Sequence, residues 1–171
     1  ELVFVPLFSD IREIKRLKNE GFKIGVEIPR GMFGREKQIE NAKNDGCLII
    51  GMEHHLLTPH INPLITGGGT CVENREYVAS RLADAGLKYM LVGHSHIQST
   101  TDFVSEKGNK IVEINVGSLV GYPAPIVNVT VNDDMTLTYS VDHLEKFALD
   151  GKEIDAQKFL ASHATALVHR V

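Results

Sequence analysis

Residues 89–96 run Tyr89-Met90-Leu91-Val92-Gly93-His94-Ser95-His96, and the rest of the chain becomes intelligible from them. Four apolar residues predict a buried strand, Gly93 allows the backbone to turn sharply, and two histidines follow at once. In an extended segment alternate side chains lie on one face, so this spacing lets His94 and His96 reach a common point. Imidazole is the commonest metal ligand among side chains, and open α/β sheets place their ligands at the carboxyl ends of strands. Two readings follow: a metal site at the lip of a sheet, or two solvated loop histidines. A second histidine cluster upstream favours the first.

That cluster ends the run Cys47-Leu48-Ile49-Ile50-Gly51-Met52-Glu53, which reads as another buried strand delivering His54-His55. Residues 56–70 form a long loop carrying Pro59, Pro63 and Gly67-Gly68-Gly69, and loops of that length are usually functional or mobile. Thr70 with Glu73 has the spacing of a capping box, opening a helix through Tyr77, Val78, Leu82 and Ala85 to a stop at Gly86. Strand, helix, strand in a right-handed unit puts two parallel strands near each other with their carboxyl ends side by side. Three imidazoles at one edge suit zinc, manganese or iron better than calcium or magnesium. Neutral ligands leave the cation uncompensated, so carboxylates are expected nearby, and a metal-bound water would be held as hydroxide for hydrolysis.

Further out, residues 2–8 read as a strand, Ser9, Asp10 and Glu13 as a helix start, and Ile11, Ile14 and Leu17 as its apolar face up to Gly21. Residues 22–28 alternate as a strand, residues 29–34 form a loop, and residues 35–45 a polar helix stopped by Gly46. Arg30 and Arg35 read as solvated charges. Beyond His96 the texture changes to hairpins. Residues 98–104 and 110–116 pair across a turn at 106–109, and residues 126–131 and 135–141 pair across Asn132-Asp133-Asp134. Ala156, Phe159, Leu160, His163 and Leu167 give residues 153–171 an amphipathic helical spacing, with His163 and His169 as partly buried or surface groups. The expected class is α/β, with helices covering a sheet and the later hairpins forming or joining a second one. Residues 1–171 read as one domain: βα units over 1–96, hairpins over 97–142 and a terminal helix over 153–171.

The totals narrow the function. A net charge of −4 without a long basic run gives no electrostatic support to general nucleic-acid binding or to a membrane surface. Cys47 and Cys71 lack Cys-x-x-Cys spacing, which argues against a thiolate zinc site or a disulfide framework and makes a cytoplasmic location the default. No apolar run approaches the roughly 18 residues of a membrane helix. The chain opens Glu1-Leu2-Val3-Phe4-Val5 inside an apolar run, which reads as a piece of a longer protein.

Glu53-His54-His55, Gly93-His94-Ser95-His96 and Asn115-Val116-Gly117-Ser118 together resemble the C-terminal half of the calcineurin-like metallophosphoesterases, over residues 47–125. The resemblance implies a β-sandwich flanked by helices in αββα layers, here incomplete. It implies two divalent transition metals (Mn, Fe or Zn), with His54 and His94 as ligands of one and His96 of the other. His55, Asn115, Gly117 and Ser118 fall at positions in the vicinity of the substrate phosphate. The implied reaction is hydrolysis of a small phosphomonoester or phosphodiester by a metal-bridging hydroxide. The family's Asp-x-His, Gly-Asp and Asn-His motifs occur nowhere in the chain. Its proton-donating histidine is therefore missing, so no catalytic residue is assigned and only a partial metal site is expected. A truncated sheet of this kind predicts a homo-oligomer, or pairing with the missing N-terminal half. The rival expectation is a non-catalytic metal-binding or scaffold module that keeps half of such a fold.

Overall fold

The apolar run Leu48-Ile49-Ile50 makes β2 (Leu48–Met52) an interior strand. A strand covered on both faces has no polar side with which to alternate, and all three residues are buried. The computed structural model describes residues 2–6, 32–62 and 70–168. The helix and strand expected over residues 9–28, the middle of the long loop and His169 lie outside them. β2 is flanked by β1 (Leu2–Pro6) on one side and β3 (Tyr89–Val92) on the other, both parallel to it, with Gly51 opposite Met90. β5 (Lys110–Asn115) is also parallel to β3, with Met90 opposite Glu113, and β4 (Ser99–Val104) is outermost, giving the order β1-β2-β3-β5-β4. The chain is thus a mixed α/β protein.

The hairpin expected after His96 forms, but it does not build a second sheet. Its second strand enters the first sheet directly beside β3. The reason is burial: Ile111 and Glu113 on one face of β5 and Ile114 on the other are all buried, so that strand needs cover on both sides. Val104 and Asp102 of β4 are exposed and suit an edge.

Contacts divide the chain into two compact units, Glu1–Ser95 with Thr100–Asn115, and His96–Ser99 with Val116–Val171. In the first, strand alternation and register put Ile49, Gly51, Met90, Val92, Ile111 and Glu113 on one face. Helices α1 (Met32–Asn44) and α2 (Arg75–Ala85) pack against each other and against this sheet. Ile39, Ala42, Ala79, Leu82 and Ala83 meet Ile49, Met90, Val92 and Ile111 in one apolar core, with Leu56 and Leu57 of the loop after β2. Helix α1 starts three residues earlier than the reading at Arg35. Gly34 falls in its first turn, where N–H groups have no intrahelical partner and propensity matters least.

The expected capping box of Thr70 and Glu73 is not made. Leu56 donates to the Thr70 carbonyl at 3.1 Å and Val72 donates to the Leu56 carbonyl at 2.8 Å, so this segment closes the base of the long loop as a β-bridge. The helix begins only after Asn74, at φ 55° and without a side-chain cap bond. Its other end is as read: Gly86, at φ 115°, donates to the Leu82 and Ala83 carbonyls.

Charged pairs fasten the helices. Arg81 grips Glu36 of α1 in a fork, Nε to Oε1 at 2.6 Å and the second nitrogen to Oε2 at 2.8 Å, and this holds the Glu36 carboxyl below its usual range. Asp84 accepts from Asn109 Nδ2 at 2.9 Å and Ser105 Oγ at 2.7 Å, with Lys107 Nζ at 3.1 Å, tying α2 to the β4–β5 turn. These bonds, that of Asn109 foremost, lower its pKa from 3.8 to about 2. The folded pKa lies below the unfolded one, so the bonds stabilise the fold above pH 3.8 and stop doing so as pH falls through 2. Thermal unfolding should therefore show Asp84→Asn less stable than the unaltered chain at pH 7. The gap should close between pH 4 and pH 2; a gap independent of pH would refute the assignment.

In the second unit β6 (Pro125–Val131) and β7 (Leu137–His143) form the expected antiparallel hairpin, Val131 opposite Leu137. β8 (Lys146–Leu149) and β9 (Lys152–Asp155) form a further hairpin that the sequence reading passed over. Its signal was Asp150-Gly151, whose φ values of 50° and 74° are those of a tight two-residue hairpin turn. Helix α3 (Ala156–Val168) accordingly starts later than residue 153, with Asp155 Oδ1 accepting from the Lys158 N–H at 3.0 Å. Among its described side chains Ala156 and Leu160 are buried, and Gln157 Nε2 donates to the Pro123 and Leu144 carbonyls at 2.9 and 2.8 Å. Among the described residues no helix is long and apolar enough to cross a membrane.

Candidate functional site

The β2–β3 ladder continues past both strands. Glu53 donates to the Leu91 carbonyl at 2.9 Å and Gly93 donates to the His54 carbonyl at 3.1 Å. This carries His54 and His94 out of the sheet as neighbours. Ser95 then donates to the Gly93 carbonyl at 2.7 Å, closing a three-residue turn with His94 at its centre and at φ 62°. A positive φ at the centre of such a turn is its strained form, rare outside glycine. The turn swings the imidazole back over the end of β2. His54 Nε2 and His94 Nδ1 stand 2.9 Å apart, and the half-buried His55 ring lies 4.3 Å from the His94 ring and 5.3 Å from that of His54.

This is convergence by a different route from the one expected. His94 and His96 were to share a face through strand alternation, but β3 ends at Val92 and both residues sit at left-handed φ, 62° and 60°. Alternation does not operate there. The pairing that forms is His54 with His94, across the two strand ends. His96 belongs to the second unit, exposed, where its carbonyl accepts from Ser118 N–H at 3.4 Å. In the same unit Gly117 N–H donates to Gln98 Oε1 at 3.3 Å. A Cβ at Gly117 would stand 2.5 Å from Pro125 Cγ and 3.2 Å from the Gln98 backbone nitrogen, so only glycine fits that corner. Asn115, read beside the phosphate, is fully buried at the end of β5, and its Nδ2 donates to Ser95 Oγ. It braces the turn that carries His94.

Two nitrogens at 2.9 Å are at the length of an N–H···N hydrogen bond. Two imidazoles bound to one ion at about 2.0–2.1 Å would stand roughly 2.9–3.4 Å apart, depending on the bond angle, so the pair also fits two corners of a metal's coordination shell. A closed or catalytic site needs more. Among the described residues no three His, Cys, Asp or Glu side chains are grouped to hold an ion. His54 and His94 are therefore a two-donor fit.

Sequence reasoning missed a buried polar centre between β5 and the loop after β2. Glu113, with no exposed surface, accepts from Leu57 N–H at 3.0 Å on Oε2. Its Oε1 accepts from Thr58 N–H at 3.0 Å and Thr58 Oγ1 at 2.9 Å, and lies 2.9 Å from His60 Nε2. The His60 side chain is 1% exposed. The available signal was a carboxylate inside Ile111-Val112-Glu113-Ile114, where an interior strand admits charge only when it is fully bonded.

In class, then, this is an α/β protein with a histidine pair at adjacent parallel strand ends. No protein-family model matches the chain, and no curated protein is significantly similar to it.

Proposed function

We propose that the chain is the histidine-bearing part of a metal-dependent phosphoesterase of the calcineurin-like class, working in the cytoplasm on a small phosphoester. The observation that carries this reading is the 2.9 Å approach of His54 Nε2 to His94 Nδ1, made by the two strand ends at which the family motifs fall. In this reading His54 and His94 hold one divalent transition metal (Mn, Fe or Zn). In the same reading the five-stranded sheet is one layer of a β-sandwich. Bound metal would supply charge neutralisation on the phosphoryl oxygens and a nucleophile at neutral pH. The chain's own residues orient: the turn at His94 sets the imidazole, and Asn115 braces that turn through Ser95.

A second reading, a non-catalytic metal-binding or scaffold module, is favoured by one observation, the two-donor count among the described residues. One set of measurements separates the two. Metal analysis after incubation with Mn2+ or Zn2+ should show bound metal in the unaltered chain and none in His54→Ala/His94→Ala. Hydrolysis of bis(p-nitrophenyl) phosphate or p-nitrophenyl phosphate by the full gene product should require Mn2+ and fall at least about 100-fold in the double variant. Metal uptake without hydrolysis would select the module; no metal uptake would overturn both.

A further inference from the structure

Glu113 is placed oddly for a structural carboxylate. It lies on the helix-covered face of β5, opposite Met90, in the middle of an apolar core. Among the described residues its two oxygens accept from one short segment, residues 57–60, which begins two residues after His55. Thr58, Leu57 and Leu56 of that segment are themselves buried. A charge in such a place is tolerated when several charge-assisted bonds replace its water. Here all of those bonds pull on the strand-end loop that carries His54.

We infer that Glu113 is a positioning residue for that pair: by clamping residues 57–60 it fixes where the His54-His55 step leaves β2, and so sets the separation of His54 Nε2 from His94 Nδ1. The inference rests on the reading of those two nitrogens as a ligand pair, and deepens it. Two anchors then act on the pair from one strand. Glu113 holds the His54 side, and Asn115, two residues on, holds the His94 side through Ser95. Strand β5 becomes the rigid bar against which both histidine loops are set, consistent with its interior place in the sheet.

The test uses Glu113→Ala, Glu113→Gln and a control, Ile114→Ala, which removes a side chain 1% exposed on the opposite face of the same strand. Co2+ binding is followed by its visible absorbance, and the His54–His94 hydrogen bond by 15N-histidine NMR of the metal-free chain. Glu113→Ala should lose the N–H···N signature and weaken Co2+ binding at least about tenfold. Glu113→Gln keeps an oxygen for the three donors on Oε1 but turns an amide toward the Leu57 N–H, so it should fall between. Ile114→Ala should lower thermal stability while leaving both readouts unchanged. If Glu113→Ala does not fold, Glu113→Gln against Ile114→Ala decides by the same two readouts. Equal losses in Glu113 and Ile114 variants, or an unchanged N–H···N signature in the Glu113 variants, would overturn the inference. Failure of the unaltered chain to take up Co2+ would instead sink the metal reading, and the NMR arm would still decide the role of Glu113.

Discussion

His94→Gly is expected to weaken metal retention by the histidine pair at least about 100-fold while costing no more than about 1.5 kcal/mol of stability. The two effects part because of where His94 sits. At φ 62° in a three-residue turn a side chain with a Cβ is held in a conformation that costs on the order of 1 kcal/mol, and glycine relieves it. Against that relief stand the greater freedom of glycine in the unfolded chain, about 0.4–1 kcal/mol, and the loss of one hydrogen bond, about 0.5–1.5 kcal/mol. The sum is a net destabilisation of about 0–1.5 kcal/mol. The loss of function is larger. One imidazole alone keeps a single donor, so Co2+ or Zn2+ affinity should fall at least about 100-fold, read by competition with a chromophoric chelator. His94→Val should cost more, because a β-branched residue tolerates left-handed φ worst, and should lose about 2 kcal/mol or more. If glycine and valine at position 94 proved equally stable, the strained turn would be disproved. If glycine kept full affinity, His94 would not be a ligand.

The second large effect lies in the core. By strand propensity alone Gly51→Val should stabilise β2, by up to about 1 kcal/mol. The structure predicts the reverse. A Cβ at Gly51 would stand 2.7 Å from Met90 Sδ, 2.8 Å from Met90 Cε and 3.2 Å from Leu87 Cδ2. Met90 is fully buried and Leu87 nearly so, so neither can swing into solvent. Overpacking of this kind costs about 1–3 kcal/mol, and packing wins over propensity. Met90→Ala alone leaves a cavity and should cost about 2–5 kcal/mol. In that background the valine methyls have the space they lacked, and Gly51→Val should become neutral or stabilising. Urea denaturation of the two single variants and the double variant closes the cycle. A coupling of about 1–3 kcal/mol is expected, and strict additivity would show that residues 51 and 90 do not share one space.

Much of the first unit was legible because its signals are local. The unbroken run at 48–50 announced an interior strand, Gly86 announced the end of α2, and the turn residues at 106–109 announced the β4–β5 hairpin. Both histidine clusters were placed at strand ends for the same reason. The Asp150-Gly151 hairpin was equally local and was overlooked, its strands being only four residues each. The capping box at Thr70 and Glu73 was a local signal that misled, since a bridge to Leu56 claims the backbone of that segment.

Periodicity and turn chemistry, then, are properties of neighbouring residues, and from them the sequence by itself determined most of the described strands, the stop of α2 at Gly86 and the two histidine-bearing loops of this protein. Which strand lies beside which depends on contacts between residues far apart in the chain. Only the tertiary structure decided that β5 pairs in parallel with β3 and brings the carboxylate of Glu113 beneath residues 57–60, 53 or more positions away. It alone decided that His94 meets His54, through a turn whose strain is held by Asn115 from a strand 20 positions on. A buried charge and a left-handed histidine are each unfavourable alone, and no local rule selects them. Their compensation comes from across the sheet.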